Sequence, residues 1–421
     1  MLAECKHKNM RILVGYGKAD ITPGLGVELA GYGNSNVRKC RGVLSPLYAL
    51  SVVMTDENGF TFVFIVADLI FGSIERNLEI REEVNRVYGI PGENVIFAAT
   101  HDHSGPDDWS EAPENIEYIG QLKKAVMMSV EQAMNDREAA VMEIGRTQTK
   151  ALNFCRRYIR ADGNYLGGGP NRWNVPSTAP IVAHETPADE EIQLVRFVRE
   201  KGKNILLVNW QSHACNVDGN REKIFHYLAS GEWPAVMRDL VEKELGVNCV
   251  FIQGAAGNLA TFSRIPGELA VADPLDIQEV GTAVAGYVTI ACSNKNTFRQ
   301  IDAGPVRTDR YQMPLEIRDD VDPADVMQQV ELNTIGIGDL SFVTLPLEFF
   351  DTNAKWLKSV TPYEMTLIVG YACGGDSYLA PEWAFEHGCF EVLFGRYKKG
   401  SAEKIFNYYN DALNRLKQKQ L

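Results

Sequence analysis

The sequence predicts an α/β protein with mixed sheets, flanking helices and a metal site at the carboxyl ends of the strands. Three observations carry this expectation. Short apolar runs rich in β-branched and aromatic residues alternate with helically spaced segments along the chain. With 421 residues, 45% hydrophobic and 23% charged, the chain can bury a large core and has an ordinary globular composition. Several strand-like runs also end in residues able to do chemistry: His101 and His103, His213, Asn258 and Glu348.

Composition narrows the partners. A formal charge of −13 argues against nucleic acid or an anionic membrane, which need a positive footprint. No apolar run approaches the about 20 residues that span a bilayer. The N-terminus, Met1 to Lys8, has no signal-type apolar core, so the cytoplasm is the expected location. The 8 cysteines form no Cys-x-x-Cys and read as reduced thiols. No repeat, low-complexity tract or linker divides the chain, so residues 1–421 are expected to form one catalytic domain with no C-terminal β-domain. A small molecule is the expected partner; oligomeric state is not legible.

In order, Arg11 to Gly17 reads as a strand. Tyr48 to Met54 and Phe60 to Asp68 read as a hairpin turned at Asp56-Glu57-Asn58-Gly59. Ser73 reads as the cap of a helix with Ile74, Leu78, Val84 and Val87 on one face and Gly89 as its stop. Asn94 to Ala99 is a buried strand, followed by a helix from about Ile116 to Met134 and a strand, Ala140 to Ile144. Leu152 to Glu185 is a long irregular segment with Arg156 and the run Gly167-Gly168-Gly169; such loops are often functional. Ile205 to Trp210 and Val247 to Gln253 are strands around a helix from Ser230 to Leu245. Asp273-Pro274 caps a helix running to about Cys292. Strands follow at Tyr311 to Ile317, Leu340 to Leu345 and Met365 to Gly370, the last leading to Asp376 and Tyr378. Ser401 to Lys417 is the final helix.

The chain centres on Ala98-Ala99-Thr100-His101-Asp102-His103-Ser104-Gly105-Pro106. In an extended backbone residues i and i+2 share a side, so His101 and His103 would present two imidazoles together. Imidazole is the commonest ligand for zinc-like metals. Histidines and a carboxylate from several strands suit a zinc ion with an open position.

Four motifs in this order resemble the neutral/alkaline non-lysosomal ceramidase family: Ala99 to Pro106, Asn209-Trp210-Gln211-Ser212-His213, Gln253-Gly254-Ala255-Ala256-Gly257-Asn258, and Tyr378 to Glu391. The resemblance runs from Gly15 to about Val392. It implies zinc held by His101, His213, Glu348 and Tyr378, with His103 facing the substrate and Arg156 contacting the substrate oxygen. Asn258 and Asp102 complete the expected substrate-binding set. The chain departs from the family pattern at two positions: Ala260 stands where ceramidases carry a catalytic serine, and Phe390 where they carry a tyrosine.

The expected chemistry is metal-assisted hydrolysis of a carbonyl compound by an activated water, with His103 as general base and acid and Arg156 stabilising the oxyanion. Asp68, also at a strand end, is expected to be structural or to support a residue of the site from behind, with direct contact to the site as the alternative. The acidic charge and the polar loop favour a small sugar- or cyclitol-derived substrate with an amide, lactone or β-diketone bond. The alternatives are ceramidase-type cleavage of an N-acyl amide, a (β/α)₈ metal amidohydrolase, and a relative that binds without turnover.

Overall fold

Nine strands form one mixed sheet in a computed structural model, which describes residues 12–32, 35–169, 176–217, 225–265, 268, 277–375 and 377–419. Their order is Asn248–Gln253, Ile205–Trp210, Glu191–Arg199, Glu138–Gln148, Ile12–Asp20, Tyr48–Thr55, Thr61–Ala67 and Val95–Ala99, with Phe298–Ile301 on Glu138–Gln148. The first and last pairs in that order are parallel and the others antiparallel. A second sheet joins Val306–Pro314, Gln329–Ile337, Leu340–Leu345 and Met365–Gly370, its last pair parallel.

Parallel neighbours need a crossover, and each of the three pairs has a helix in the connection. Ile74–Tyr88 lies between Thr61–Ala67 and Val95–Ala99, Glu232–Leu245 between Ile205–Trp210 and Asn248–Gln253, and Asp351–Val360 between Leu340–Leu345 and Met365–Gly370. These strands are apolar along nearly their whole length because both of their faces are covered.

The two sheets face each other across one core. Val52, Phe64, Ile96 and Val250 of the large sheet pack with Ile335, Phe342 and Leu367 of the small one. Each such side chain, fully buried, contributes on the order of 1.5–3 kcal/mol. Ile80, Val84, Val126 and Val130 seat two helices on one part of the large sheet's outer face. Trp233, Met237, Val284 and Val288 seat two more. Leu357, Ile405 and Leu413 cover the small sheet's outer face. The layers run helix, sheet, sheet, helix. The buried Asn209 amide ties the sheets together, donating to the carbonyls of Ile252 and Ile368 at 3.0 Å each.

Local signals behave as their chemistry requires. Ser73 Oγ accepts the Arg76 N–H at 3.2 Å, and Gly89 closes that helix with φ 67°. Asp56 Oδ1 accepts the N–H groups of Asn58 and Phe60 and shapes the hairpin turn. Two expectations are corrected. The segment from 152 to 185 is not wholly irregular: Ile181–His184, Tyr158–Arg160 and Tyr165–Leu166 form a small sheet whose strands are too short to show a period. The strand expected at Tyr311 to Ile317 is Val306–Pro314, because its register runs with Gln329–Ile337 and its middle is polar and solvent-facing. Asp273, Pro274 and Asp376 lie outside the described residues; the described part of that helix is Ile277–Ser293. Among the described residues no helix is long and apolar enough to cross a membrane.

Candidate metal centre

The polar ends of the crossover strands meet between the two sheets. Beyond Ala99 the chain does not stay extended: His101 has φ 60°, in the left-handed region. The pairing of His101 with His103 therefore comes from a tight turn and not from strand alternation. Thr100, just before it, is held by Asp68, which accepts the Thr100 hydroxyl at 3.2 Å. Asp68 is itself gripped by Arg238 through two bonds of 2.8 and 2.6 Å, a structural role. The His101 ring stacks on Tyr371 at 3.8 Å between centroids and meets the edge of Phe71.

The tautomers follow from the partners. His101 Nδ1 lies 3.0 Å from the Ile70 carbonyl, and His213 Nδ1 2.7 Å from that of Ala256 and 3.0 Å from that of Leu259. A carbonyl only accepts, so both Nδ1 atoms carry the proton and both Nε2 atoms present a lone pair. Those two Nε2 atoms face each other at 3.3 Å. Two lone pairs cannot bond each other; a cation between them resolves the conflict. Glu348 Oε2 closes the triangle, 3.1 Å from His213 Nε2 and 3.4 Å from His101 Nε2. Ligand atoms about 2.0–2.1 Å from a tetrahedral zinc stand roughly 3.3 Å apart, so the three atoms span one face of such a site. His103 Nε2 lies 3.2 Å from His101 Nε2, and the three imidazoles offer ligand atoms within 4.8 Å of one another.

Tyr378 enters from a strand pair. Glu348–Phe349 runs parallel to Tyr378–Leu379, with Glu348 opposite Tyr378. The Tyr378 hydroxyl bonds Glu348 and accepts Arg156 Nη2 at 2.7 Å. Arg156 Nη2 also donates to the Gly257 carbonyl at 2.9 Å. Gly257 is obligatory for its space: a Cβ there would lie 2.7 Å from the Glu348 carbonyl oxygen.

Electrostatics suit a metal. Burial lowers the His103 pKa well below the usual value, aided by His101 and His213. Burial and the Arg156 charge bring His213 down to about 4. Burial alone would raise Glu348, but the imidazoles bring it well below the carboxylate range. A neutral His103 and His213 beside an ionised Glu348 are in the protonation states that ligation needs. Burial raises Tyr378 well above 10, Arg156 opposing, so its hydroxyl keeps its proton until a cation is near. Arg156 stays cationic despite burial because Tyr378, Glu391 and Glu348 surround it.

Two residues expected to contact substrate also make contacts within the protein. Asn258 is fully buried and spent on Asp351: its Nδ2 donates to Asp351 Oδ1 at 2.8 Å and its Oδ1 accepts the Asp351 N–H at 2.9 Å. Asp102 is buried too; its Oδ1 accepts the Ser104 N–H at 2.7 Å, and the side chain lies in the field of Glu232 and Asp68. Ala260 is buried opposite Phe154. The Thr261 hydroxyl is committed to Asn216, at 2.9 Å from its Nδ2 and 3.2 Å from its Oδ1. Two residues at the site escaped sequence reasoning. Tyr371 carried no motif. Glu391, whose Oε1 stands 3.2 Å from Arg156 Nε, closed a recognised stretch without any sign of its partner.

A cavity of about 480 Å³ opens beside the cluster. Phe71, which touches His101, and Ser377, next to Tyr378 in sequence, line it with the apolar Ile74, Trp109, Met327 and Phe394 and the charged Glu75, Asp325 and Arg396.

Residues 12–226 match the family described as neutral/alkaline non-lysosomal ceramidase, N-terminal. A neutral ceramidase of Pseudomonas aeruginosa is 26% identical over 265 residues, which are 58% of this chain and 36% of that protein. The chain thus spans little more than a third of that relative's length. The fold is similar to a crystal structure of neutral ceramidase from Pseudomonas aeruginosa, with a TM-score of 0.77 and 17% identity over 98% of this chain and 75% of the other. It is also similar to a ceramidase complexed with C2, with a TM-score of 0.78 and 16% identity over 97% of this chain and 76% of the other.

Proposed function

The chain belongs to the neutral/alkaline non-lysosomal ceramidase family, and from that membership we propose that it is a zinc-dependent hydrolase of N-acyl amides. The observation that carries the reading is the His101 and His213 Nε2 pair, lone pairs opposed at 3.3 Å, with Glu348 Oε2 3.4 and 3.1 Å from them. His101, His213 and Glu348 would hold the metal at the carboxyl ends of the strands, with Tyr378 beside them as a further ligand. A zinc ion bound there supplies Lewis-acid chemistry, activating water near neutral pH and polarising a carbonyl.

The surrounding residues do the rest. His103, kept neutral by burial, takes a proton at Nε2 from the attacking water and returns it to the leaving amine. Arg156 directs its guanidinium at the carbonyl oxygen as charge develops there. With alanine at 260 and the Thr261 hydroxyl tied to Asn216, water is the nucleophile. Family membership favours an N-acyl amide over the sugar- or cyclitol-derived substrate expected from composition. The cavity, where Ile74, Trp109, Met327 and Phe394 alternate with Glu75, Asp325 and Arg396, would accept a group with both apolar and polar parts.

Elemental analysis of untagged protein beside His213→Ala tests the centre, together with turnover of short-chain N-acyl amides, lactones and β-diketones. The expected result is about one zinc per chain, lost in the variant, and amide cleavage that follows the metal. Absence of stoichiometric metal after reconstitution would overturn the hydrolase reading. Turnover confined to lactones or diketones would overturn the amide assignment alone.

A further inference from the structure

The stretch Gly167-Gly168-Gly169 and the buried Glu391 have no part in the chemistry above, yet both close on Arg156. Glu391, with no exposed surface, sits between two guanidinium groups. Its Oε1 stands 3.2 Å from Arg156 Nε and accepts the Gly168 N–H at 2.8 Å. Its Oε2 accepts from Arg157 Nη1 at 3.1 Å. Arg157 is anchored elsewhere, on Glu185 and on the Gly388 carbonyl at 3.0 Å.

The glycines lie against this group with no room for side chains. A Cβ on Gly168 would stand 2.3 Å from Arg156 Cδ, on Gly167 2.6 Å from Glu391 Oε2, and on Gly169 2.0 Å from Phe390 Cγ. Phe390 in turn packs against the Tyr378 ring at 5.3 Å. A guanidinium is a rigid planar fork, and its plane is fixed only when two of its edges are held. Nη2 is held by Tyr378 and the Gly257 carbonyl, and on the Nε side the Glu391 carboxylate holds the guanidinium by charge at 3.2 Å, the buried Nε–H making no hydrogen bond of its own.

We propose that Glu391 is a positioning residue that fixes the plane of Arg156, with Gly168 as the close-fitting strap that holds both in register. This rests on the reading of Arg156 as the group that meets the carbonyl oxygen. The loss from removing such a supporting contact is about 10- to 100-fold in turnover, the range for outer partners of an active-site group.

The test uses zinc-loaded protein as Glu391→Gln, Gly168→Ala, Arg156→Lys and the double variant Glu391→Gln/Arg156→Lys. Turnover of a short-chain N-acyl amide is measured, and solvent exchange of the Arg156 Nε–H by ¹⁵N NMR, its signal identified by its loss in Arg156→Lys. In Glu391→Gln and in Gly168→Ala, kcat should fall about 10- to 100-fold with KM within about threefold and zinc content unchanged, and Nε–H exchange should accelerate. In the Arg156→Lys background, Glu391→Gln should cost less than about twofold. An undisturbed Nε–H in Glu391→Gln, or an equal loss in both backgrounds, would overturn the proposal and leave Glu391 a purely structural partner of Arg157. If the wild type cleaves no N-acyl amide, the proposed function falls while the exchange measurement still decides the role of Glu391.

Discussion

At the scale of single residues, the question is which oxygen attacks. Thr261 is the nearest hydroxyl in sequence to the alanine at 260, and its oxygen exchanges hydrogen bonds with Asn216 in a buried setting. A hydroxyl so engaged has no base at its proton and no lone pair directed at a substrate. Thr261→Val should therefore leave turnover within about threefold while lowering stability by about 1 kcal/mol, the net worth of one such bond. A steady-state assay beside urea unfolding reads both, and a loss beyond about 100-fold at unchanged zinc content would make Thr261 the nucleophile. The residue types of the site were readable from strand-end positions, since His101, His213 and Glu348 follow three apolar runs. Their partners were not. Arg156 meets Glu391 and Tyr378 through contacts that span more than half the chain, and no local pattern records such a pairing. The left-handed backbone at His101 was equally invisible, because the residue is not a glycine.

At the scale of elements, the site depends on how closely one loop passes another. The turn after Asn248–Gln253 lies on the Glu348–Phe349 strand, with the Gly257 N–H donating to the Phe349 carbonyl at 3.0 Å. The same glycine offers its carbonyl to Arg156. Gly257→Ala forces a Cβ to 2.7 Å from the Glu348 carbonyl oxygen, so the strand carrying the carboxylate must move. Overpacking of this kind costs about 1–3 kcal/mol, and the zinc site should weaken at least about tenfold. Competition with a chelator measures this, and an unchanged zinc affinity would show that Glu348 is not a ligand. Elements of this kind were legible where burial is two-sided. Ile205–Trp210, Leu340–Leu345 and Met365–Gly370 begin and end where their apolar runs do. Val306–Pro314 was misjudged because Arg307 to Gln312 are polar and pair by register alone. The cavity could not be read at all, since Phe71, Trp109, Met327 and Phe394 come from four distant segments.

At the scale of the whole molecule, one buried ion pair spans the layers. Arg81, on a helix over the large sheet, reaches Glu331 on the small sheet through bonds of 3.0 and 2.7 Å. Burial would raise Glu331, but the hydrogen bonds and charge of Arg81, with Asn333 and Arg310, hold it down at about 2 from an ordinary 4.5. The unfolded chain therefore takes a proton at this position before the native one does. Its contribution to stability is complete above about pH 4.5 and is lost as pH falls toward 2. Other buried carboxyls act in the opposite sense. Burial raises Asp108 and Glu232 to about 7 each and lifts Asp102 and Asp351 as well, so these four carboxyls keep protons in the native state that the unfolded chain releases between about pH 4 and 7. Lowering the pH from neutral to about 5 should thus strengthen the fold through these carboxyls while weakening it through His103 and His213, which burial keeps neutral, and further acid should weaken it through Glu331. Glu331→Gln separates the two, because glutamine mimics the protonated carboxyl. The difference in urea-unfolding stability between wild type and Glu331→Gln, measured with chelator present to remove metal effects, should be largest above pH 4.5 and vanish near pH 2. A difference that stays constant across that window would mean that Glu331 contributes packing and not charge. The layers would then be joined by the apolar core around Phe64 and Phe342 without help from the ion pair.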